Sequence, residues 1–374
     1  MKSAINTVDG HSRRAPPPEL SASRIGLGAV ERDVGIDAVR IAAAIMVVSV
    51  HVTGEYFYNG THGWGAINII DSFSRACVPL FFMVSGALLI PRLDKAKKTL
   101  DRLIKFLIPL VFWSALYLVW YSETGTLWGY AWNVLPPRLF SISSLQHFLM
   151  GPVVFHFWFL YTLIGLYVFL PVLQSFYSKS DETQRYIYLA AWFVGASLLP
   201  TIAKLTSIKL IGFDLSYFPL YAGYMLAGAV LSKISTAKRT VIVSFFIYAA
   251  SSLATAILTV IYSTPAQATE LFYSYETVTV LISSLSAFVF LRGCGNILYR
   301  ISSPSFRSNV VSLTFGVYII HALVLRYTID ILGLQELNNT YVGIPFLILF
   351  VFILSAILSY AVRLLPFGKS LLPA

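Results

Sequence analysis

Charged residues are scarce in this chain, and their scarcity excludes most soluble folds. Only 12% of the 374 residues are Asp, Glu, Lys or Arg, whereas 57% are hydrophobic and the mean hydropathy is +0.74. A soluble globular domain carries about 25% charged residues, because its surface must be hydrated. The few charges also fall between long apolar segments. The composition therefore predicts a membrane protein that crosses the bilayer several times.

Cysteine is nearly absent as well, and acidic residues are few. Cys77 falls in the outer part of a predicted span and Cys294 in a predicted loop on the other side, so no disulfide is expected. The 27 Lys and Arg residues outnumber 17 Asp and Glu, which gives a net charge of +10. Because the basic residues lie in short clusters between apolar segments, they indicate membrane topology and argue against nucleic acid as a partner.

Ten apolar segments predict an all-α, polytopic integral membrane protein with about ten transmembrane helices in one bundle. The predicted spans are 36–58, 72–90, 101–121, 154–176, 185–203, 216–232, 241–262, 275–292, 310–330 and 343–365. The span 216–232 is short for a bilayer. We expect a disordered cytoplasmic tail over 1–33, one membrane domain over 34–366 and a short cytoplasmic tail over 367–374.

The distribution of basic residues predicts the orientation. With a cytoplasmic N-terminus, 21 of the 27 Lys and Arg residues fall in inside segments and 3 in outside loops. The other three, Arg40, Arg75 and Arg326, lie within spans. Lys and Arg concentrate in cytoplasmic loops of membrane proteins. Both termini are therefore expected in the cytoplasm.

The first span carries two ionisable residues, Arg40 and His51, eleven positions apart. Eleven helical steps return to within about 20° of the starting direction and rise by roughly 16 Å. Both residues therefore lie on one helix face, Arg40 near the inner mouth and His51 deep in the outer half. This spacing suits a long donor with an anionic head whose reactive end reaches a buried base.

Further ionisable residues gather from the middle to the outer half of the predicted bundle, where burial is costly and indicates function. They are Glu55, Arg75, His156, His321 and Arg326. We expect them to contact the substrate. Glu55 lies one helix turn after His51, where it either orients the imidazole or is simply an interfacial carboxylate.

A purely structural interpretation stays open for each of these residues. Arg40 extends to the cytoplasmic interface or pairs with Asp37 in that interpretation, and Arg75 and Arg326 extend to the outer interface. His51 merely bonds a backbone carbonyl, and the other two histidines are structural hydrogen-bond donors. A metal site is not predicted.

Four motifs in order resemble the acyltransferase 3 family of integral-membrane enzymes that O-acylate carbohydrates. The motifs are Arg40-x10-His51, VPLFFMVSG at Val78 to Gly86, FHFWFL at Phe155 to Leu160 with Tyr167 and Pro171, and FGVYIIHALVL at Phe315 to Leu325. The resemblance extends over about residues 34 to 365. It implies an enzyme in the cytoplasmic (inner) membrane of a bacterium, surrounded by membrane lipid.

The resemblance also implies substrates and roles. The donor is an acyl-CoA from the cytoplasm, with acetyl-CoA as the default, and no bound cofactor is expected. The acceptor is a carbohydrate, possibly lipid-linked. The family's essential arginine and histidine correspond to Arg40 and His51, and its basic pair at the third helix corresponds to Arg102 and Lys105. Many members carry arginine at both positions of that pair, so Lys105 departs from a bidentate phosphate contact.

Two chemical routes and one different function stay open at this point. His51 either removes the proton of a sugar hydroxyl or itself accepts the acyl group and passes it on. The alternative function is a transporter or flippase of an anionic glycan or organic anion, which also needs intramembrane Arg and His. The chain lacks the internal repeat and the paired Gly- or Pro-broken spans typical of carriers.

Overall fold

The computed structural model describes residues 33–57, 63–124, 151–208, 219–264, 267–334 and 340–373. Within these ranges the chain is helical, and the one β-type pairing is an isolated bridge between Thr264 and Gln267. The helices are α1 Val34–Glu55, α2 Trp64–Ser74, α3 Cys77–Leu89, α4 Ala96–Thr124, α5 Trp158–Lys179, α6 Glu182–Phe193, α7 Leu199–Thr206, α8 Leu220–Leu231, α9 Lys238–Tyr262, α10 Val278–Gly293, α11 Gly295–Ile301, α12 Pro304–Leu332, α13 Thr340–Leu364 and α14 Gly368–Leu371. The all-α, polytopic prediction is confirmed.

Nine helical segments in the described ranges are long and apolar enough to cross a membrane. They are Val34–Glu55, Trp64–Leu89, Ala96–Trp120, Phe155–Lys179, Glu182–Thr206, Lys238–Tyr262, Leu271–Ile301, Pro304–Leu332 and Thr340–Leu364. The second begins eight residues before the predicted span 72–90, and this places Asp71 inside the helix. The predicted span 216–232 corresponds to α8, which has 12 residues and is shorter than a bilayer crossing.

The short helix α8 is buried, and glycines bring it against α3. A Cβ at Gly86 would stand 1.8 Å from the carbonyl oxygen of Met225, and one at Gly228 would stand 2.0 Å from that of Met83. At these two glycines the backbones of α3 and α8 therefore contact each other with no side chain between them, as in small-residue packing of membrane helices. Since α8 packs by its backbone, its apolar sequence reflects burial rather than contact with lipid.

Helix α1 is the centre of the bundle. It packs against α2, α3, α10, α11, α12 and α13. Val39, Ala43, Val48 and Val52 are each 0% exposed, and they lie on two opposite sides of the helix. Residues elsewhere on α1 are therefore held at fixed positions relative to the six neighbouring helices. The predicted tail over 1–33 lies outside the described residues except for Asp33.

The second span is interrupted in its middle, between α2 and α3. Pro79 has no backbone N–H, so it cannot bond the carbonyl of Arg75 four residues earlier. The helix ends at Ser74 and starts again at Cys77. The next backbone hydrogen bond between residues four apart runs from the Leu80 N–H to the Ala76 carbonyl over 3.0 Å. Proline thus places Arg75 at a break deep inside the bundle.

The C-terminal segment folds back against the bundle over its described part. After α13 the chain turns at Phe367, whose φ is +63°, and forms the single turn α14. Leu372 is 1% exposed and packs beside Gly316 of α12, and the Trp113 indole of α4 donates to the Leu371 carbonyl over 3.0 Å. The segment predicted as a short tail over 367–374 therefore belongs to the packed unit up to residue 373.

Candidate functional site

Three histidines from three separate elements meet in the bundle. His51 comes from α1, His156 from the turn Phe155–Phe157 before α5, and His321 from α12. Ring centroids lie 4.9 Å apart for His51 and His321, 5.1 Å for His156 and His321, and 6.3 Å for His51 and His156. We call these residues the histidine trio. Sequence analysis named all three residues, and the fold brings them together.

Hydrogen bonds fix the tautomers of two members of the trio. The Nδ1 atom of His321 lies 2.7 Å from the Tyr318 carbonyl oxygen and 3.1 Å from that of Val317. A carbonyl only accepts, so Nδ1 carries the proton and Nε2 carries a lone pair. By the same reasoning His156 directs Nε2–H toward the Ile319 carbonyl at 3.4 Å and keeps its lone pair on Nδ1.

Both lone pairs are buried without a donor among the described residues. His321 is 0% exposed and His156 is 2% exposed, and neither Nε2 of His321 nor Nδ1 of His156 has a hydrogen-bond partner there. Leaving such atoms unpaired costs free energy, so native proteins retain them where a ligand or water supplies the donor. His51, the third member of the trio, is partly accessible. Its ring centroid lies 4.8 Å from that of Phe155, in an edge-to-face arrangement.

Arg75 lies at the helix break. Its Nε donates to one oxygen of the Asp71 carboxylate, and the other oxygen accepts from the Thr53 hydroxyl at 2.9 Å. The guanidinium lies over the Tyr273 ring, 4.1 Å from the centroid. Thr53 follows His51 by two residues, about 200° around the helix, so this cluster contacts a different side of α1 from His51.

A cavity of about 110 Å³ lies beside the inner part of α1. Arg40 lines one part of it, and Ser85, Tyr167, Tyr318 and Pro373 line others. Tyr318 lines the cavity and also contacts the trio: its hydroxyl donates to the His156 carbonyl at 2.6 Å, and its ring centroid lies 5.6 Å from that of His156. Arg40 is among the described residues that line the cavity and the three histidines are not, so the predicted path from Arg40 to His51 stays a prediction.

Further cations surround the inner end of the cavity. Lys105 is exposed and lies within electrostatic range of Arg40 and Arg363. Arg102 is 19% exposed and forms an ion pair with Asp94 at 2.7 Å, and the Gln174 amide donates to the same carboxylate at 3.2 Å. Burial opposes ionisation of this carboxylate, but the contacts with Arg102 and Gln174 outweigh burial and lower the pKa of Asp94.

The two remaining predicted residues form a separate group at the far end of α1 and α12. Arg326 pairs with Asp330, one turn along the same helix, with Nε 3.0 Å from the carboxylate. Glu55 lies within electrostatic range of both. The structure thus joins Glu55 to Arg326 rather than to the His51 ring, so the predicted role of Glu55 in orienting the imidazole has no contact to support it. Within the described ranges no group of His, Cys, Asp or Glu is arranged to hold a metal ion.

Comparison with known proteins assigns the chain to a family of enzymes. The family model Acyl_transf_3, described as an acyltransferase domain, matches residues 33–363. The chain belongs to the acyltransferase 3 family. Its similarity to the nodulation protein NolL of Sinorhizobium fredii (strain NBRC 101917 / NGR234) is 24% identity over 231 residues, which cover 60% of this chain and 57% of the relative. No solved structure shows significant similarity to the chain.

This acyltransferase 3 protein carries functional candidates that sequence analysis missed. Asp71 binds Arg75 and accepts from the Thr53 hydroxyl, Tyr318 lines the cavity and contacts His156, and Pro373 forms part of the cavity wall. The four-residue spacing of Asp71 and Arg75 is a signal that the sequence does contain, since it places both on one helix face. Tyr318 has a weaker signal, its position three residues before His321. Nothing in the sequence indicates that Pro373 returns to the bundle.

Proposed function

We propose that this membrane acyltransferase moves an acyl group, acetyl by default, from cytoplasmic acyl-CoA to a sugar hydroxyl of a cell-surface or lipid-linked polysaccharide. The protein would lie in a bacterial inner membrane with both termini in the cytoplasm. Membership of the acyltransferase 3 family supports the reaction class, and the bias of basic residues supports the orientation. The acetyl donor and the polysaccharide acceptor are parts of the proposal.

One observation carries the proposal: Tyr318 links a cavity that contains a cation to the histidine trio, where two buried imidazole lone pairs lack a donor among the described residues. Arg40 and Tyr318 both line the cavity, and the Tyr318 hydroxyl donates to the backbone carbonyl of His156. Phosphate groups bind cations, and hydroxyl groups donate to imidazole lone pairs. The cavity therefore suits an anionic-headed donor, and the trio suits a hydroxyl-bearing acceptor.

The cations at the inner end would hold the donor. Arg40 is half-buried at the cavity, and Lys105 lies nearby with its side chain exposed. An arginine offers a fork of donors that matches phosphate, whereas a lysine offers a point charge. Arg102 would contribute less than Arg40, because its guanidinium already pairs with Asp94. The acyl chain would then extend along the cavity toward Tyr318.

At the outer end His51 would act as the general base. Its imidazole removes the proton of the sugar hydroxyl while that oxygen forms a bond to the thioester carbonyl carbon. The carbon–sulfur bond then breaks, and the leaving thiolate takes the proton back from the imidazolium. General base catalysis of this kind contributes about 10²–10⁴-fold. In the second route His51 itself attacks the thioester carbon, and the carbon–sulfur bond breaks to release the thiolate of CoA. The sugar oxygen then attacks the acyl-imidazole, the bond from the acyl carbon to the His51 nitrogen breaks, and the hydroxyl proton passes to the thiolate.

The experiment that tests the proposal measures transfer directly. Purified protein in lipid nanodiscs is given acetyl-CoA with isotope-labelled acetyl and a surface glycan prepared from cells that lack the protein. We expect labelled O-acetyl ester on the glycan by mass spectrometry, and slow release of CoA when no acceptor is present. A protein that moves the glycan across a liposome membrane but never cleaves the thioester would be a carrier, and the proposal would be wrong.

A further inference from the structure

Two imidazoles of the trio each direct one nitrogen to a carbonyl group of α12. His321 donates from Nδ1 to the Tyr318 carbonyl of its own helix at 2.7 Å, and His156 directs Nε2–H to the Ile319 carbonyl at 3.4 Å. The two nitrogens of an imidazole lie on different edges of the ring. The second nitrogen of each residue, which carries the free lone pair, therefore points away from the α12 backbone.

The trio cannot satisfy these two lone pairs by itself. The rings of His51 and His321 are stacked, with centroids 4.9 Å apart and an angle of 28° between their planes. An imidazole N–H and an imidazole lone pair both lie in the plane of their ring, so stacked rings do not form a hydrogen bond with each other. The Nε2–H of His156 is directed to Ile319, and this leaves only a lone pair on its other nitrogen.

Burial makes the two free acceptors informative. His321 is 0% exposed and His156 is 2% exposed, and neither lone pair has a donor in the part of the chain that the structure describes. A buried acceptor without a donor costs free energy, which an apolar side chain of similar size would avoid. Stability therefore does not explain two such acceptors side by side, whereas a ligand that brings two donors does.

The spacing of the trio suits a polyhydroxylated ligand. Ring centroids are 4.9, 5.1 and 6.3 Å apart, and each hydrogen bond from a hydroxyl group spans about 2.8 Å. Hydroxyl groups on one sugar ring can therefore reach the three imidazoles together. His51 is partly accessible, so the buried lone pairs adjoin a residue that a ligand can approach.

We propose that the lone pairs of His321 and His156 bind two hydroxyl groups of the acceptor sugar, beside the hydroxyl group that is acylated. The inference rests on the proposed function. Each of the two hydroxyl groups donates to one lone pair and keeps its proton. The acceptor would therefore be a sugar ring with at least two further free hydroxyl groups, because a ring that lacks one leaves a buried lone pair unpaired.

Amide side chains separate the free lone pair from the structural hydrogen bond at each position. In His321→Asn the amide nitrogen replaces Nδ1 and the acceptor at Nε2 is lost, whereas in His321→Gln the amide oxygen reaches the position of Nε2. At His156 the order is reversed. Glutamine retains the donor to the Ile319 carbonyl, and asparagine places its oxygen at the position of Nδ1.

The variants that lose the lone pair should affect the acceptor alone. We expect His321→Asn and His156→Gln to lower kcat/KM for the glycan by about 10²-fold. The KM for acetyl-CoA and the slow release of CoA without glycan should change by less than about threefold, since neither involves the sugar. His321→Gln and His156→Asn should each retain about tenfold more activity than the other amide at the same position.

Ser252→Ala is the matched control. Its hydroxyl is another buried polar group without a partner among the described residues, but it lies on α9, which packs against α10 and α2. The variant should retain wild-type kcat/KM for the glycan. Monodispersity and thermal unfolding in detergent are measured for every variant. The two histidines are tested independently, so one variant that folds poorly leaves the other position as a test.

A further measurement needs no variant. The glycan acylated by the wild-type protein is analysed by NMR to locate the O-acetyl ester. We expect the ester on a sugar ring that carries at least two other free hydroxyl groups. An ester on a ring with fewer would contradict the inference.

The kinetic outcomes separate this inference from the proposed function. Absence of transfer by the wild-type protein would contradict both. Transfer with an unchanged kcat/KM for the glycan in His321→Asn or His156→Gln would contradict the inference alone. Equal losses in both amides at one position, or a parallel loss of CoA release without glycan, would also contradict it, because the imidazoles would then support the fold or hold a water molecule. Opposite rankings of asparagine and glutamine at the two positions support it.

Discussion

The two ends of the candidate site are built differently. At the inner end Arg40, Arg102 and Lys105 are partly or fully exposed, and Arg40 lines a cavity. At the outer end His156 and His321 are buried, and their tautomers are set by carbonyl groups. The inner end can adjust to a mobile anionic donor, whereas the outer end holds its groups before any substrate arrives.

This difference follows from what each end must do. Binding a polyanionic head group tolerates several arrangements of long cationic side chains, because charge attraction is weakly directional. Transfer at a buried carbonyl requires atoms held within about 0.5 Å, which needs supporting hydrogen bonds. We therefore expect substitutions at the inner end to change affinity in graded steps and substitutions at the outer end to change turnover sharply.

His321 should give the largest effect at the outer end, apart from His51. In His321→Asn the amide nitrogen takes the position of Nδ1 and still donates to the Tyr318 carbonyl, but no lone pair remains at the position of Nε2. We expect the variant to fold and transfer to fall by about 10²-fold or more, with acetyl-CoA binding unchanged. The measurements are glycan O-acetylation and isothermal titration with acetyl-CoA.

The control for His321 lies on the same helix. Thr328→Val removes a hydroxyl that bonds only the Val324 carbonyl, seven residues beyond the histidine. It should retain wild-type transfer. If His321→Asn also retained transfer, the Nε2 lone pair would have no part in the reaction, and His51 and His156 would be the remaining candidates of the trio.

Arg40→Ala should give a smaller, binding-type effect at the inner end. A hydrogen bond to a charged group contributes about 1.5–3 kcal/mol, so the Kd for acetyl-CoA should rise by about 10–100-fold. Arg40→Lys should recover part of this, since a point charge replaces a fork. Transfer at saturating acetyl-CoA should fall much less than affinity does. Unchanged affinity in Arg40→Ala would leave Arg40 with a structural role only.

Leu372→Ala tests whether the C-terminal segment is part of the inner end. Leu372 is 1% exposed, so the cavity left by truncation should cost about 2–5 kcal/mol of unfolding free energy. Because Pro373 lines the donor cavity, we also expect acetyl-CoA affinity to fall by several-fold. Thermal unfolding and titration measure the two effects. Loss of stability with unchanged affinity would show that the segment supports the fold without shaping the cavity.

Asp94→Asn should give the smallest effect and a pH signature. The folded pKa of Asp94 lies below its ordinary value, so its ionised form stabilises the fold above the unfolded pKa, near about 4. That contribution is lost as the pH falls through the folded value. We expect Asp94→Asn to lower the melting temperature by about 2–4 °C at pH 7, with a smaller difference from wild type at pH 4. A difference that grows toward pH 4 would contradict the assignment.

Most residues on which this comparison depends could be predicted from the sequence, because ionisable residues are rare inside membranes. Arg40, Arg75, His51, His156 and His321 were recognisable from charge in apolar segments alone. Their convergence could not be read in the same way, since it depends on how three elements pack. Neither could the tautomers, which depend on single carbonyl groups.

Other features were hidden for specific physical reasons. Hydropathy placed the start of the second span at residue 72, which left Asp71 outside, because an ion pair lowers the local average although the helix continues. The length of α8 was obscured, since an apolar segment buried in protein resembles one that faces lipid. The return of Leu372 to the bundle depends on a left-handed turn at Phe367, a residue type that rarely adopts one.

His51→Gln tests the central claim most directly, because glutamine keeps hydrogen-bonding capacity and cannot take a proton near neutral pH. Labelled acetyl transfer to glycan and acetyl-CoA binding are measured in parallel on His51→Gln, His51→Ala and wild type. The account predicts that both variants bind acetyl-CoA with near wild-type affinity and lose transfer by about 10²-fold or more. Substantial transfer by His51→Gln would contradict it and would make His321 or His156 the base.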